Sequence, residues 1–239
     1  TPEGERLYEH IRIAMEHIEA GESEILSSRN LENGTVFLAA SEVALRCLLL
    51  PVLKEFRLLH PGIHIRVSNH STPQAIDALK EGAADLALVT TPTVPSASLT
   101  ETAVRPIREA AVCSPYFSGL LGREVSLSEL QDYPLISLGS GTKSYEFYSA
   151  LFTTHGLNYK PDIEAFTADQ ILPMVEADLG IGFVPEEFLR KGDGVCRIRL
   201  KETIPERSIV LIKRKEQPLS AAARELERMI RTQGQTESS

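Results

Sequence analysis

Small hydroxyl side chains and glycines cluster in the stretch LGSGTKSYEF, residues 138–147. This stretch is not a phosphate-binding loop, because Gly141 is followed by Thr142 and not by the lysine that such a loop needs. Nor is it a nucleophile elbow, because Ser140 lacks a glycine two positions before it and another two positions after it. What remains is anion binding, because free backbone N–H groups and hydroxyls point outward where a strand ends and a helix begins. The alternative is that these residues only cap their own helix.

Two other predicted turns from strand to helix carry the same kind of side chain. Ser41 lies in AASEVAL, and Ser71 and Thr72 lie in NHSTPQA. Thr90 and Thr91 add hydroxyls at the end of the apolar stretch DLALVTT, where we expect the chain to cross between two lobes. Three hydroxyl-bearing turns that face one cleft indicate a small-molecule site more strongly than one turn alone.

Histidine and cysteine placement predicts neither a metal site nor a catalytic centre. The histidines have neither the HExxH spacing nor a companion pair of cysteines. The cysteines are far apart in sequence and odd in number, which favours buried free thiols over a disulfide framework: Cys47, Cys113 and Cys196. The short glycine pair in LGIGF, residues 179–183, is too weak for a dinucleotide fingerprint and is predicted to let a helix end close against a strand. We therefore expect no cofactor and no catalysis.

Length and composition predict a soluble globular chain. Its 239 residues are 42% hydrophobic and 24% charged, enough to bury one large core or two lobes. No apolar run is long enough to cross a bilayer, and the first twenty residues are charged throughout, which argues against a signal peptide and favours the cytoplasm. The net charge of −8 disfavours binding of this chain to membranes or nucleic acid, so contact with DNA would require another segment.

The N-terminal residues have the apolar spacing of a heptad seam. Apolar side chains recur at intervals of four, three, four and seven residues, with Gly21 at the intermediate position: Leu7, Ile11, Ala14, Ile18 and Ile25. This spacing predicts an amphipathic helix that pairs with a second copy or packs on the body of the protein. An ordinary surface helix is the alternative, because about three heptads are the minimum for a coiled coil. Residues 27–34 are predicted to be a linker.

From Thr35 onward, strand and helix patterns alternate. TVFLAAS, IHIRVSN and DLALVT predict strands, with helices over EVALRCLLLPVLKEFRLLH and STPQAIDALKEG between them. Strands linked through helices run parallel, so this half is predicted to be a doubly wound layer. After the Pro/Ser-rich break at residues 91–98 a second unit repeats the alternation, and a last strand and helix, from Arg207 to Gly234, return to the first unit. Such a chain forms two lobes with a cleft between them.

Five stretches, in this order along the chain, resemble the LysR family of bacterial transcription regulators. They are TPEGERLY, GTVFLAASEVALRCLLLPVLKEFRLLHPGIHIRV, LKEGAADLALV, VSLSELQDYPLISLGSGT and ADLGIGFVP. The first is similar to the end of the family's winged helix-turn-helix and the start of its linker helix, and the others are similar to parts of its effector domain. Together with their spacing they cover nearly the whole chain, which departs from the family pattern by extra residues before LLLP.

The resemblance implies an α/β fold of two Rossmann-like subdomains, similar to periplasmic binding proteins, with an N-terminal linker helix. Residues 1–32 would be the dimerisation helix and linker, residues 33–104 with 207–239 the first effector-binding subdomain, and residues 105–206 the second. A small-molecule effector, anionic in view of the turns, would bind between the lobes. DNA would be bound only by a winged helix upstream of this chain, and the assembly would be a homodimer or homotetramer.

The resemblance implies that the hydroxyl-bearing turns contact the effector. Phe183 of LGIGF is the remaining candidate contact. The candidate contacts are Ser41, Ser71, Thr72, Thr90, Thr91, Ser140, Gly141, Thr142 and Phe183. No charged anchor for an anion is evident among them. A solute-binding protein of a transporter is the alternative function, since it uses the same two-lobed closure, but it needs a signal peptide or lipid anchor and has no use for a heptad seam. An enzyme on the same scaffold lacks a nucleophile and base in this sequence.

Overall fold

The computed structural model describes residues 33–190, 192 and 194–236, together with residues 1, 3, 4, 7, 8, 11, 14, 15 and 18. Of the predicted heptad seam, Gly21 and Ile25 lie outside the described residues, as does the predicted linker up to residue 32. The other members of the seam are helical and exposed: Leu7, Ile11, Ala14 and Ile18.

Strands and helices alternate through most of the continuous part of the chain. In chain order they are β1 (Gly34–Ala40), α1 (Glu42–Ala44), α2 (Leu50–Leu59), β2 (Ile63–Asn69), α3 (Thr72–Lys80), β3 (Leu86–Thr90), β4 (Leu99–Ile107), β5 (Glu109–Cys113), β6 (Glu124–Val125), α4 (Leu127–Leu130), β7 (Leu135–Leu138), α5 (Lys143–Thr154), β8 (Ile163–Ala165), α6 (Ile171–Glu176), β9 (Ile181–Pro185), β10 (Cys196–Leu200), β11 (Arg207–Arg214) and α7 (Ala221–Thr236). Most of these elements match the predicted ones, but β6 and β10 are absent from the prediction.

The first lobe is built on a five-stranded sheet in the order β2-β1-β3-β11-β4. β1 pairs in parallel with β2 and β3, which confirms the prediction for strands linked through helices. β11 runs antiparallel between β3 and β4. The C-terminal strand therefore returns to the first lobe, as predicted, and it is inserted inside the sheet.

The second lobe is built on a six-stranded mixed sheet in the order β6-β10-β5-β9-β7-β8. β7 is parallel to β8 and β9, whereas β5 is antiparallel to β9 on one side and to β10 on the other. Gly182 in β9 has no side chain at a position where a Cβ atom would lie 2.5 Å from Ile171 Cγ2. Glycine thus lets α6 pack closely on β9, which confirms the prediction for LGIGF.

The chain passes between the lobes at Arg108 and again at residues 201–206, because β4 and β11 lie in one sheet and β5 and β10 in the other. The expectation that it crosses at Thr90 and Thr91 is wrong. β3 and β4 belong to the same sheet, and residues 91–98 join them around the inserted strand β11.

A π-helical stretch, Leu45–Leu49, joins α1 to α2 in one continuous helical segment. The N–H of Leu50 donates to the carbonyl oxygen of Leu45, five residues back. A π-helical turn accommodates an extra residue within a helix. This geometry explains how the chain holds extra residues before LLLP.

Pro51 lies in the first turn of α2, where it has no N–H to donate to a carbonyl of the preceding turn. In an α-helix the carbonyl of Cys47 would accept from residue 51, but proline has no N–H. Arg105 Nη1 from β4 donates to this oxygen instead, at 2.6 Å. Proline is tolerated in the first turn of a helix, and here a strand of the same lobe donates to the carbonyl four residues before it.

Candidate functional site

Arg207, the first residue of β11, joins the two lobes through a buried hydrogen-bond network. Within the first lobe, Arg207 Nε donates to the carbonyl oxygen of Thr91 and Arg207 Nη2 donates to Thr90 Oγ1, both at 2.7 Å. Across to the second lobe, Arg207 Nη1 donates to Glu109 Oε1 at 3.0 Å, and both Nη atoms lie 3.2 Å from Ser144 Oγ. All five N–H groups of a guanidinium can be satisfied in this arrangement.

The Arg207–Glu109 ion pair is almost fully shielded from solvent, with side chains 2% and 1% exposed. Burial raises the pKa of the Glu109 carboxyl, and the Arg207 charge beside it acts in the opposite direction. Burial, followed by the charge of Glu109, raises the pKa of Tyr148 well above its ordinary value, so its hydroxyl stays protonated. Glu109 Oε2 has no hydrogen-bond partner among the described residues.

A cavity of about 20 Å³ lies between the lobes at this network. Its wall includes Val43 and Arg207 from the first lobe and Glu109, Ser144 and Tyr148 from the second. This volume holds about one water molecule. Small-molecule sites in proteins are usually roughly 300–1,000 Å³, so this cavity is far smaller than such a site.

Four predicted site residues belong to this region or line its cavity. Thr90 and Thr91 bind Arg207 as described above, and Thr72 donates from its buried Oγ1 to the carbonyl oxygen of Thr90 at 3.3 Å. Phe183, a residue of β9, lines the cavity. The structure thus brings together residues from α3, the end of β3 and β9.

The other predicted site residues lie at or just before helix N-termini, and the hydroxyls of Ser41, Ser71 and Thr142 bond within their own helices. Ser41 Oγ accepts from the N–H of Ala44 at 3.2 Å. Thr142 Oγ1 accepts from the N–H of Tyr145 at 3.2 Å and caps α5. Ser71 forms a capping box at the start of α3, while Ser140 and Gly141 are exposed in the turn before α5. Capping is therefore observed at three of the five predicted turn hydroxyls: Ser41, Ser71 and Thr142.

The charged residues of the network, Arg207 and Glu109, are missing from the predicted site. Each stands at the first position of an apolar strand, RSIVLIKR or EAAVC, where a charged residue ordinarily marks the solvent-facing end. Ser144 and Tyr148 are missing as well, although both follow the predicted turn on α5. The sequence signal that could identify them is the spacing of four residues, which places both on one face of this helix.

A second contact between the lobes is made by charged residues of the segment that follows β1. Arg46 forms an ion pair with Asp169, and its guanidinium carbon lies 3.9 Å from the ring centroid of Phe188. Burial raises the pKa of Glu42 to about 7, with further contributions from a hydrogen bond to Asp169 and from the charge of Asp169. Glu42 and Asp169 come from different lobes, so the contribution of Asp169 to the pKa of Glu42 depends on the distance between the lobes.

Within the described ranges, no group of three or more His, Cys, Asp or Glu side chains is placed to hold a metal ion. No helix of the described residues is long and apolar enough to cross a membrane. Of two wider surface depressions, of about 880 and 450 Å³, the larger adjoins the cavity between the lobes, because Glu109 lines both. Two ion pairs line the larger depression and neutralise charges there: Arg197 with Glu186 and Arg108 with Glu206.

A family model described as the LysR substrate binding domain matches residues 29–235. The chain is 24% identical over 194 residues to the HTH-type transcriptional regulator CysL of Bacillus subtilis (strain 168), covering 80% of this chain and 64% of the relative. The chain thus spans slightly less than two thirds of the length of that relative.

Two solved structures share the fold at low sequence identity. Full-length CbnR complexed with its target DNA has a TM-score of 0.78 at 16% identity, covering 97% of this chain and 81% of that chain. The effector binding domain of QuiR in complex with shikimate has a TM-score of 0.76 at 17% identity, covering 86% and 99% respectively. These similarities confirm the predicted two-lobed α/β fold.

Proposed function

The chain belongs to the LysR family, and from this membership we propose that it is the effector-sensing and oligomerisation region of a LysR-type transcriptional regulator. In this proposal the protein acts in the cytoplasm and without catalysis, and it contacts DNA only through a winged helix upstream of these residues. The curated relative named a transcriptional regulator and the neighbour solved with its target DNA support this role.

The observation that carries the proposal is the position of Arg207 between the lobes. Its bonds to Thr90 and Thr91 stay within the first lobe, whereas its bonds to Glu109 and Ser144 cross to the second. Separation of the lobes would break the second pair of bonds and leave the first intact. A ligand that replaces the lost partners would therefore change the equilibrium between closed and open lobes.

Arg207 also supplies the charged anchor that an anionic effector requires. A carboxylate, sulfate or phosphate can take the place of Glu109 at the guanidinium, which binds such groups through two parallel hydrogen bonds. The cavity of about 20 Å³ is too small for an anion of this kind. Effector binding is thus coupled to lobe opening, followed by closure around the ligand.

The hydroxyl-bearing turns are proposed to complete the site once the lobes separate. Thr72 and Thr90 would contact the ligand from the first lobe and Thr142 from the second, together with the remaining predicted contacts: Ser41, Ser71, Thr91, Ser140, Gly141 and Phe183. The proposed effector-binding subdomains are residues 33–107 with 207–239 and residues 109–206, which moves the predicted boundary after residue 104 to the crossing at Arg108. The heptad seam predicted within residues 1–32, whose described members Leu7, Ile11, Ala14 and Ile18 are helical and exposed, is proposed to pair copies of the chain in a homodimer or homotetramer. This seam also favours a regulator over the solute-binding protein of a transporter.

Calorimetric titration of the chain with sulfate, phosphate and a panel of small mono- and dicarboxylates tests the proposal. We expect at least one anion to bind at a ratio of one per chain, and the double variant Thr72→Val/Thr142→Val to bind it at least about ten-fold more weakly. Thr154→Val is the matched control, because that hydroxyl bonds only within its own helix, to the carbonyl oxygen of Ala150. Unchanged affinity in the double variant would remove these turns from the site.

A further inference from the structure

The structure places two cysteines that are distant in sequence directly opposite each other. Cys113 is the last residue of β5, Cys196 is the first residue of β10, and the two are paired in the antiparallel ladder between these strands. Opposed residues in such a ladder have Cα atoms about 4.5–5.5 Å apart. Disulfides usually join Cα atoms about 4.4–6.8 Å apart. The backbone therefore already has the spacing that a disulfide needs.

The two side chains lie on the same face of the sheet. Ala111 and Cys113 of β5 belong to one buried cluster of the second lobe, and so does Ile198, which pairs with Ala111 one step along the ladder. Side chains alternate between the faces of a sheet with a period of two residues. Cys196, two residues before Ile198, thus projects from the same face as Cys113.

The two thiols differ in their access to solvent. Cys196 is partly exposed and Cys113 is fully buried, and both are free. Burial, with a smaller contribution from Cys196, raises the pKa of the Cys113 thiol to about 11. A solvent-borne oxidant would therefore meet Cys196 first, and Cys113 would react only with a sulfur already brought beside it.

We propose that Cys113 and Cys196 form a thiol-oxidation site that takes a low-molecular-weight disulfide as its oxidant and closes a cross-strand disulfide within the second lobe. The Cys196 thiolate attacks the small disulfide, forms a mixed disulfide and releases one small thiolate, which takes up the proton that Cys196 gave up. Cys113 then loses its proton and attacks the sulfur of Cys196, which releases the second small thiol. Two protein thiols are oxidised and one small disulfide is reduced to two thiols. This site shares no residue with the proposed effector site.

The disulfide would tie the end of β5 to the start of β10. Glu109, the partner of Arg207, begins the same strand β5. Oxidation would thus constrain the strand that carries one half of the contact between the lobes. The covalent link would also close a long loop of the unfolded chain, so we expect the oxidised protein to unfold roughly 5 °C or more above the reduced protein.

Equilibration with mixtures of reduced and oxidised glutathione tests this site directly. After acid quenching, denaturation and alkylation, the reduced chain should carry three labels, and the oxidised chain one label on Cys47 with the Cys113 and Cys196 peptides joined. The equilibrium constant for disulfide formation should be at least about ten-fold larger in the native chain than in concentrated urea, because the fold holds the two thiols together.

Two variants serve as controls for this experiment. Cys47→Ala should lose one label and leave the equilibrium constant for disulfide formation unchanged, since Cys47 packs in a different buried cluster from Cys113. Cys196→Ser should retain labels on Cys47 and Cys113 under all mixtures. The proposal is overturned if Cys196 accumulates as a mixed disulfide with glutathione, if all three thiols stay labelled, or if the native constant is no larger than the constant in urea.

Discussion

Replacing Arg207 by methionine removes the guanidinium that joins the lobes while leaving a side chain of similar length. The variant leaves the Glu109 carboxylate buried without its partner, and it leaves the carbonyl oxygen of Thr91 without its donor. Removing one partner of a buried ion pair usually costs about 3–5 kcal/mol. Because burial raises the pKa of Glu109, this carboxyl can take up a proton and limit the loss. We therefore expect Arg207→Met to lower the free energy of unfolding by about 3–5 kcal/mol.

The double variant Arg207→Met/Glu109→Met separates the cost of an unpaired charge from the value of the pair. Apolar residues of similar size often replace a buried ion pair with little loss, so we expect the double variant to lie within about 2 kcal/mol of the wild type. The neighbouring Arg108 offers a matched control: its side chain is 76% exposed and lies 3.5 Å from Glu206. Arg108→Met should cost less than about 1 kcal/mol.

Urea unfolding at pH 7, followed by circular dichroism, measures these differences from the transition midpoints and slopes. A cost below about 1 kcal/mol for Arg207→Met would refute the reasoning, because a buried charge would then have been left unpaired without penalty. A double variant as unstable as the sum of the two single variants would also refute it, because the two side chains would then act independently.

Three further predictions concern the packing and titration of the first lobe. Gly234→Ala should cost about 1–3 kcal/mol, because the new Cβ atom would lie 2.4 Å from the carbonyl oxygen of Val104. Arg105→Met should cost about 1–3 kcal/mol, since it removes the donor to the Cys47 carbonyl. Glu42, with a pKa raised from 4.5 to about 7, holds its proton more tightly in the folded chain. Its contribution is fully present below pH 4.5 and is lost as the pH rises through about 7, and Glu42→Gln should remove this slope.

Urea midpoints check all three predictions. Gly119→Ala is the control for the helix glycine, because no atom lies within 4 Å of its added Cβ, and equal costs for the two variants would contradict the packing argument. For Arg105→Met, a stability equal to that of the wild type would mean that the Cys47 carbonyl does not need this donor. For Glu42, midpoints must be recorded from pH 4 to pH 8, and the same slope in wild type and Glu42→Gln would show that another group titrates.

Local patterns in the sequence were sufficient for most of the fold. The alternation of IHIRVSN and the helical spacing of STPQAIDALKEG depend on contacts within a few residues, and both elements form where predicted, at Ile63–Asn69 and Thr72–Lys80. The hydroxyl at Ser71 marks the start of a helix for the same local reason. Strand β6 is two residues long, too short to carry a pattern, whereas β10 has the alternation of a half-buried strand in CRIRL and the prediction overlooked it.

The sequence by itself determined the alternation of strands and helices, the family, and the turns that carry hydroxyl side chains. These features depend on residue spacing and capping residues within single elements. Only the tertiary structure decided which of these residues meet. Arg207 and Glu109 are 98 positions apart, and they pair because β11 inserts beside β3 while β5 begins immediately after the crossing. Cys113 and Cys196 meet because two strands run antiparallel. Such contacts follow from the pairing of strands across the sheets, which no local pattern of side chains specifies.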